Sequence, residues 1–337
     1  MTNEYDAVLV LSFGGPERRD EVMPFLERVL RGRRVPRERM LEVAEHYYEL
    51  GGASPANAQS RGLVAALREE LDKHGPHLPI YWGNRNWHPL LADTLQQMAD
   101  AGIRRTVAWV TSAYSSYSGC RQYLEDIERA RAEVGDEAPQ VDKLRVCYNH
   151  PGFIDAMVDR VNEVFDAVPA DHRATAKIVF TAHSIPQAMA SGCSYEAQLD
   201  EACQLVAERL GPNPWQLVYQ SRSGAPGQPW LEPDIADFVR TVDRQEVADG
   251  LVVVPIGFLS DHMEVLYDLD TEVCQICDER KVPMLRAKTV GTHPRMVTMI
   301  RQLITERTSE SPQRLAVGRD GPSHDVCPAD CCPLGRP

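Results

Sequence analysis

Asp6-Ala7-Val8-Leu9-Val10-Leu11-Ser12-Phe13, closed by Gly14-Gly15-Pro16, is the stretch that decides the fold class. A short apolar, β-branched run that stops at turn residues reads as a buried strand. Runs of the same kind recur at 79–83, 105–112, 143–148, 177–183, 215–220, 250–258 and 282–288. Between them lie amphipathic stretches at 56–73, 90–101, 121–133, 152–167, 196–210 and 261–280. Strands alternating with helices predict an α/β fold whose parallel sheets are covered on both faces. Eight strands, four in each half, predict two similar units, each a four-stranded sheet flanked by helices. Asn149-His150-Pro151-Gly152 punctuates the chain between them, giving a first domain over 1–150 and a second over 151–307. Beyond Arg307 the chain turns rich in Ser, Pro, Gly and Asp, so 308–337 is expected to be an irregular tail.

Hydrophobic residues make up 43% of the 337 and charged residues 25%, the mix of a soluble globular protein. No apolar run reaches the roughly 18–20 residues that span a bilayer. Met1-Thr2-Asn3-Glu4-Tyr5-Asp6 lacks the basic and apolar regions of a signal peptide. The expectation is a cytoplasmic monomer with no stable membrane association. With 36 Lys and Arg against 49 Asp and Glu, the net charge of −13 repels a phosphate backbone, which argues against a nucleic-acid partner. Neither a Gly-x-Gly-x-x-Gly nor a Walker-type loop occurs, which removes the two commonest nucleotide-binding readings.

Ligands in such sheets sit at the carboxyl ends of strands, and several ends here carry chemistry. His183 closes one run and is followed by Ser184-Ile185-Pro186. A histidine there is equally a base, a metal ligand or a side chain bonded to a neighbouring loop. Glu264, Asp268 and Glu272 recur every fourth residue after the apolar run at 250–258. On a regular helix they form one acidic stripe, destabilising unless a cation compensates. A row of carboxylates suits stepwise passage of a hydrated divalent ion; the plain alternative is a solvated helix face. Val265, Leu266 and Leu269 on the opposing face make that alternative weaker.

Four strings carry a family resemblance: 8–16, Gly51-Gly52-Ala53-Ser54-Pro55, Thr181-Ala182-His183-Ser184-Ile185-Pro186, and 255–268 with its Ser-Asp-His-Met-Glu-Val-Leu-Tyr-Asp core. Together they resemble the ferrochelatase family, in order, from the first strand to about Arg307. The tail and the charge balance resemble its actinobacterial coproporphyrin III branch. The resemblance implies two Rossmann-like domains with a porphyrin cleft between them, the last helix (about 293–307) packing back on the first. It implies insertion of Fe²⁺ into coproporphyrin III to give coproheme, with loss of two protons, and transient contact with other haem-pathway enzymes. By motif, His183 and Glu264 are catalytic, and Asp268 and Glu272 continue the iron-delivery stripe. Metalation needs a base for two pyrrole protons, which a neutral imidazole can serve. Porphyrin-binding positions implied are Phe13, Arg31, Ser54, Gln59 and Tyr123, with Arg33 and Arg34 as weaker rim cations. Phe13 stands where the firmicute branch has Tyr and cannot ligate iron, and His46 stands where that branch has Arg. Two rival functions stay open: a chelatase of the same fold for cobalt or nickel, and a non-catalytic tetrapyrrole or haem carrier.

Nine cysteines in such a chain point to metal or redox chemistry rather than a disulfide framework. Cys327-x₃-Cys331-Cys332 supplies three thiolates, and a four-coordinate cluster or zinc site needs a fourth. The resemblance implies a [2Fe–2S] cluster, with Cys147 as the fourth ligand; zinc would use the same thiolates. Cys274 and Cys277, at i and i+3 of a helix, read as buried structural thiols.

Overall fold

The computed structural model describes residues 4–32, 35–224 and 227–335, so Arg33 and Arg34 lie outside the described residues. Two compact units emerge. The first takes the chain up to Thr111, then Tyr123–Leu144 and Ile300–Gln313; the second takes Ser112–Gln122, Arg145–Met299 and the chain from Arg314 onward.

In the first unit, β1 (Ala7–Ser12) is followed by helices α1 (Val22–Val29), α2 (Arg37–Glu49) and α3 (Ala56–His74). Then come β2 (Ile80–Asn84), α4 (Leu91–Asp100), β3 (Arg105–Val110), α5 (Gln122–Val134) and β4 (Gln140–Lys143). The sheet order is β2-β1-β3-β4, all parallel. β1 is fully buried because its Val and Leu residues face helices on both sides. Leu9, Leu11, Leu95, Met98 and Ile127 form the core on one face. Phe25, Leu26 and Ala44 anchor α1 and α2 in a separate apolar group.

The second unit runs α6 (Pro151–Phe165), β5 (Lys177–His183), α7 (Gln187–Ala190), α8 (Tyr195–Leu210), β6 (Trp215–Gln220), α9 (Ile235–Thr241) and β7 (Leu251–Val254). It continues with α10 (Met263–Val265), a π-helical stretch (Leu266–Val273), α11 (Cys274–Arg280) and β8 (Met284–Arg286); α12 (Pro294–Thr308) comes last, its residues from Ile300 counted with the first unit. Its sheet, β6-β5-β7-β8, is also parallel throughout. Val179, Val253, Val265, Leu269 and Ile276 pack one face.

The expected fold class, two four-stranded parallel sheets flanked by helices, is thus present, with two local differences in its elements. The run 143–148 is not a strand. β3 pairs with Gln140–Lys143, a polar edge strand, in the register Arg105↔Gln140 to Ala108↔Lys143. β3 ends at Val110, so the chain from Val146 onward outlasts its partner; Leu144 N–H still donates to the Ala108 carbonyl, whereas Cys147 and Tyr148 N–H donate to the Ala113 carbonyl. They are buried by packing, not by a ladder. The helix read over 261–280 contains the eight-residue π stretch, in which Cys274 N–H reaches back to the Leu269 carbonyl.

The tail holds no helix or strand among its described residues after Thr308. It is nevertheless fastened to the second unit. Val317 N–H donates to the Asn149 carbonyl at 2.8 Å, Asn149 Nδ2 to the Gly321 carbonyl at 2.7 Å, and Arg145 Nη2 to the Leu315 carbonyl at 2.8 Å. Glu201, 2% exposed on α8, accepts from Arg319 N–H and from the Tyr148 hydroxyl. Gly318 adopts φ +87°, and a Cβ there would stand 2.2 Å from Glu201 Oε1, so only glycine fits.

Candidate active site

His183 ends β5, in register with Gln220 at the end of β6, so both side chains reach the carboxyl edge of the sheet. The close approach of the loop after β7 helps shape that edge: a Cβ on Gly257 would lie 2.6 Å from Ala182 Cα. His183 Nδ1 is hydrogen-bonded to the Ser184 carbonyl, and the Tyr195 hydroxyl donates to the His183 carbonyl at 3.0 Å. A carbonyl can only accept, so Nδ1 carries a proton, and in the neutral imidazole Nε2 is then the nitrogen with the lone pair. Nε2 faces Glu264, whose Oε2 is 3.8 Å away. The two side chains are 34% and 50% exposed, open to an incoming reactant. Glu264 opens α10, and its N–H donates to Nδ1 of His262, the N-cap.

The carboxylates of the stripe differ in their partners. Asp268 Oδ2 accepts from the Ser221 hydroxyl and from Gln220 Nε2 at 3.1 Å. Ser221 sits in the left-handed region at φ 61°, a strained position that aims its hydroxyl at the carboxylate. Burial pushes the Asp268 carboxyl up to about 7, with the Glu264 charge adding to it; the two hydrogen bonds and His183 act the other way. Glu272, at the far end, is 3.5 Å from Arg240 Nη2. A π turn takes in more residues than an α turn, so side chains four apart keep closer to one line than on a regular helix. Gln220 Oε1 and Thr181 Oγ1 are buried at this edge without a hydrogen-bond partner. Burial lowers the His262 imidazole, which favours its neutral form, while the Glu264 and Asp261 charges act the other way. Arg286, bound bidentately by Asp270 at 2.6 and 2.7 Å and held by Asp261, fixes the loop that leads into α10.

The remaining ligand-binding candidates lie in the first unit. Phe13, 43% exposed after β1, packs edge-on against Phe25. Arg85 stacks 4.4 Å from the Tyr123 ring and 5.8 Å from Phe13, and pairs with Asp126. Phe13, Arg85 and Tyr123 thus form one group, with the Tyr123 ring itself buried. Arg85 ends a run whose Gly-Asn-Arg terminus is visible in the sequence, but its stacking is not. Ser54 is buried, its N–H donating to the Pro16 carbonyl; Gln59 lies in the first turn of α3; Arg31 is exposed after α1. These three are not brought into the Arg85 group by any described contact.

The tail thiols gather around a residue the sequence reading did not use. Cys120 Sγ is 3.8 Å from Cys327 Sγ, and Cys331 Sγ is 3.5 Å from Cys332 Sγ. A thiol contact with Cys120, then burial, then Cys331 push the Cys332 thiol up. Such crowding is unfavourable for bare thiolates and is relieved by a cation among them. Arg121 Nε donates to the Cys331 carbonyl at 2.9 Å, which ties the two segments together. Cys147 is fully buried beside Tyr114, and Cys277 donates to Met284 Sδ at 3.6 Å within the apolar core.

A ferrochelatase family profile matches residues 5–308. A protein of Rhodopirellula baltica named ferrochelatase is 57% identical over 97% of this chain and 93% of its own length. A coproporphyrin III ferrochelatase of Streptomyces coelicolor is 49% identical over 99% of this chain and 94% of its own. Among solved structures, SirB from Bacillus subtilis with Fe³⁺ superposes with a TM-score of 0.56 at 11% identity, covering 91% of this chain and 96% of that one. That likeness is one of fold.

Proposed function

The chain belongs to the ferrochelatase family, enzymes that insert iron into a porphyrin in haem biosynthesis, and we propose that its porphyrin is coproporphyrin III, metalated beside His183 and Glu264. Family membership removes the non-catalytic carrier. The observation that carries the mechanism is His183 Nε2 standing 3.8 Å from Glu264 Oε2, with Nδ1 hydrogen-bonded to the Ser184 carbonyl.

Insertion exchanges two pyrrole N–H protons for one Fe²⁺. His183 Nε2 accepts one proton, becoming an imidazolium that Glu264 stabilises; the second passes to the Glu264 carboxylate and on to water. Fe²⁺ arrives hydrated, and Asp268 with Glu272 exchange its waters stepwise for carboxylate oxygens. Gln220 and Ser221 orient the Asp268 carboxylate during that transfer. Phe13, stacked near Arg85, supplies an apolar surface for the macrocycle without ligating iron. Arg31, Ser54, Gln59 and Tyr123 serve the propionates, joined by Arg85. The substrate assignment is supported by the names of relatives at 45–49% identity.

Cys120, Cys327, Cys331 and Cys332 fit a [2Fe–2S] cluster, because such a cluster takes four thiolates in two pairs and these thiols lie paired at 3.8 and 3.5 Å. The contact with Cys327 favours Cys120 over Cys147 for the fourth place. When bound, the cluster supplies a one-electron redox centre and a covalent fastening for the tail. The enzyme acts in the cytoplasm as a monomer, and its net charge of −13 supports a partner set without nucleic acid.

His183→Ala tests the mechanism. The expected result is a loss of Fe²⁺ insertion by about 10²–10⁴-fold with porphyrin binding retained. Full insertion rate in that variant would falsify the base assignment.

A further inference from the structure

The tail thiols have a neighbour that a four-thiolate site does not need. His324 Nε2 stands 4.0 Å from Cys331 Sγ, and the donor atoms of His324, Cys327 and Cys331 all lie within 4.8 Å of one another. Donors on one tetrahedral zinc-class ion, with bonds of about 2.0–2.3 Å, sit roughly 3.3–3.8 Å apart. Closing the triangle therefore takes movements of about 1 Å, within the reach of side-chain rotation.

The imidazole is delivered by a built loop. Arg314 Nη2 donates to the Ser323 carbonyl at 2.5 Å and to Asp325 Oδ1 at 3.3 Å, so the residues on each side of His324 share one guanidinium. Arg121 does the same for the cysteine loop, through the carbonyls of Cys331 and Pro328. Cys120 and Cys332 lie against the triad, in contact with Cys327 and Cys331 respectively, so a fourth donor is at hand on either side. A cavity of about 280 Å³ lined by His324, Cys331, Cys332 and Cys193 gives an ion a way in.

We propose that His324 is a direct metal donor, completing with Cys327 and Cys331 a mixed imidazole–thiolate set for a single zinc-class divalent ion. The proposal rests on the tail being a metal site and adds a second occupancy to it. Five donors stand around four coordination positions, so one thiolate can give way to the imidazole. Each thiol that binds the ion loses its proton to solvent, three of them when Cys120 or Cys332 fills the fourth position; the imidazole enters neutral, and no electrons move. Such a donor set suits a borderline-soft ion rather than a hard one.

Co²⁺ alone, titrated anaerobically into the reduced, metal-free full chain, reads the donor set through its d–d and thiolate charge-transfer bands. The wild type is expected to bind Co²⁺ with thiolate charge transfer. His324→Ala should weaken that binding by about 10–100-fold and shift the d–d bands. His324→Cys should restore affinity with the bands of an all-thiolate site. Unchanged affinity and bands in His324→Ala overturn the role of His324 while leaving the tail a metal site. Absence of thiolate charge transfer in the wild type, or full binding by a Cys327→Ser, Cys331→Ser double variant, overturns the metal site itself and the proposal with it. Far-UV circular dichroism, expected to be unchanged in every variant, separates loss of a ligand from loss of the fold.

Discussion

Replacing Asp268 by Asn should stabilise the metal-free protein, and increasingly so as pH rises. Both hydrogen bonds to this side chain end on Oδ2, from the Ser221 hydroxyl and Gln220 Nε2. An Asn oxygen in that place accepts both, so the substitution removes the charge and keeps the contacts. Burial raises the carboxyl from 3.8 to about 7. A carboxyl raised in this way is protonated in the native state while the unfolded chain is already ionised. The contribution of Asp268 to native stability is therefore greatest below pH 4 and falls as pH rises, levelling off above pH 7. At about 1.4 kcal/mol per pH unit the ceiling is about 4 kcal/mol, with roughly 2.5 kcal/mol of it lost between pH 5 and pH 8. Partial solvent access reduces that window to about 1 kcal/mol. Urea unfolding of both proteins, with chelator present, measures it. The Asn variant should gain on the wild type by about 1 kcal/mol more at pH 8 than at pH 5. A gap that is the same at both pH values refutes the raised carboxyl, and with it the idea that stability is given up here for a metal-handling charge.

Three further outcomes follow from the packing. Arg286→Met removes the cation that Asp261 and Asp270 share, and should cost about 1–2 kcal/mol in urea unfolding, since Asp270 is exposed and Asp261 keeps its bonds from Thr289; a loss below about 0.5 kcal/mol contradicts the structural role given to this arginine. Gly318→Ala forces a Cβ against Glu201 at a positive φ, so the tail should become cleavable by limited proteolysis while the rest of the chain resists. Equal resistance of tail and body would show that the Glu201 contact does not hold the tail. Cys120→Ser should abolish iron–sulfur absorbance in the purified protein; retention there, with loss in Cys147→Ser, returns the fourth ligand to Cys147.

Much of the fold is legible because seven of the eight strands fall within apolar runs, the inner ones β1, β3, β5 and β7 buried almost throughout. β4 is the exception. Gln140–Lys143 is polar because it lies at an edge, while Val146, Cys147 and Tyr148 just beyond it are buried outside any strand. Hydrophobicity reports burial, and only ladder geometry reports pairing. At the site, the spacing of Glu264, Asp268 and Glu272 is visible in one dimension, but their partners are not. Arg240, Ser221 and Gln220 come from other elements and set what each carboxylate does. Cys120 meets Cys327 across 207 positions of sequence, a contact that only the folded chain brings about. A signal was present: Cys120 follows a strand end, where ligands gather, and precedes Arg121, the residue that ties the cysteine loop in place.

Single-turnover metalation under anaerobic conditions, with Fe²⁺ and either coproporphyrin III or protoporphyrin IX, tests the central claim most directly. Coproporphyrin III should be converted to coproheme at a rate at least tenfold above that for protoporphyrin IX. Equal rates, or a preference for protoporphyrin IX, contradict the substrate assignment.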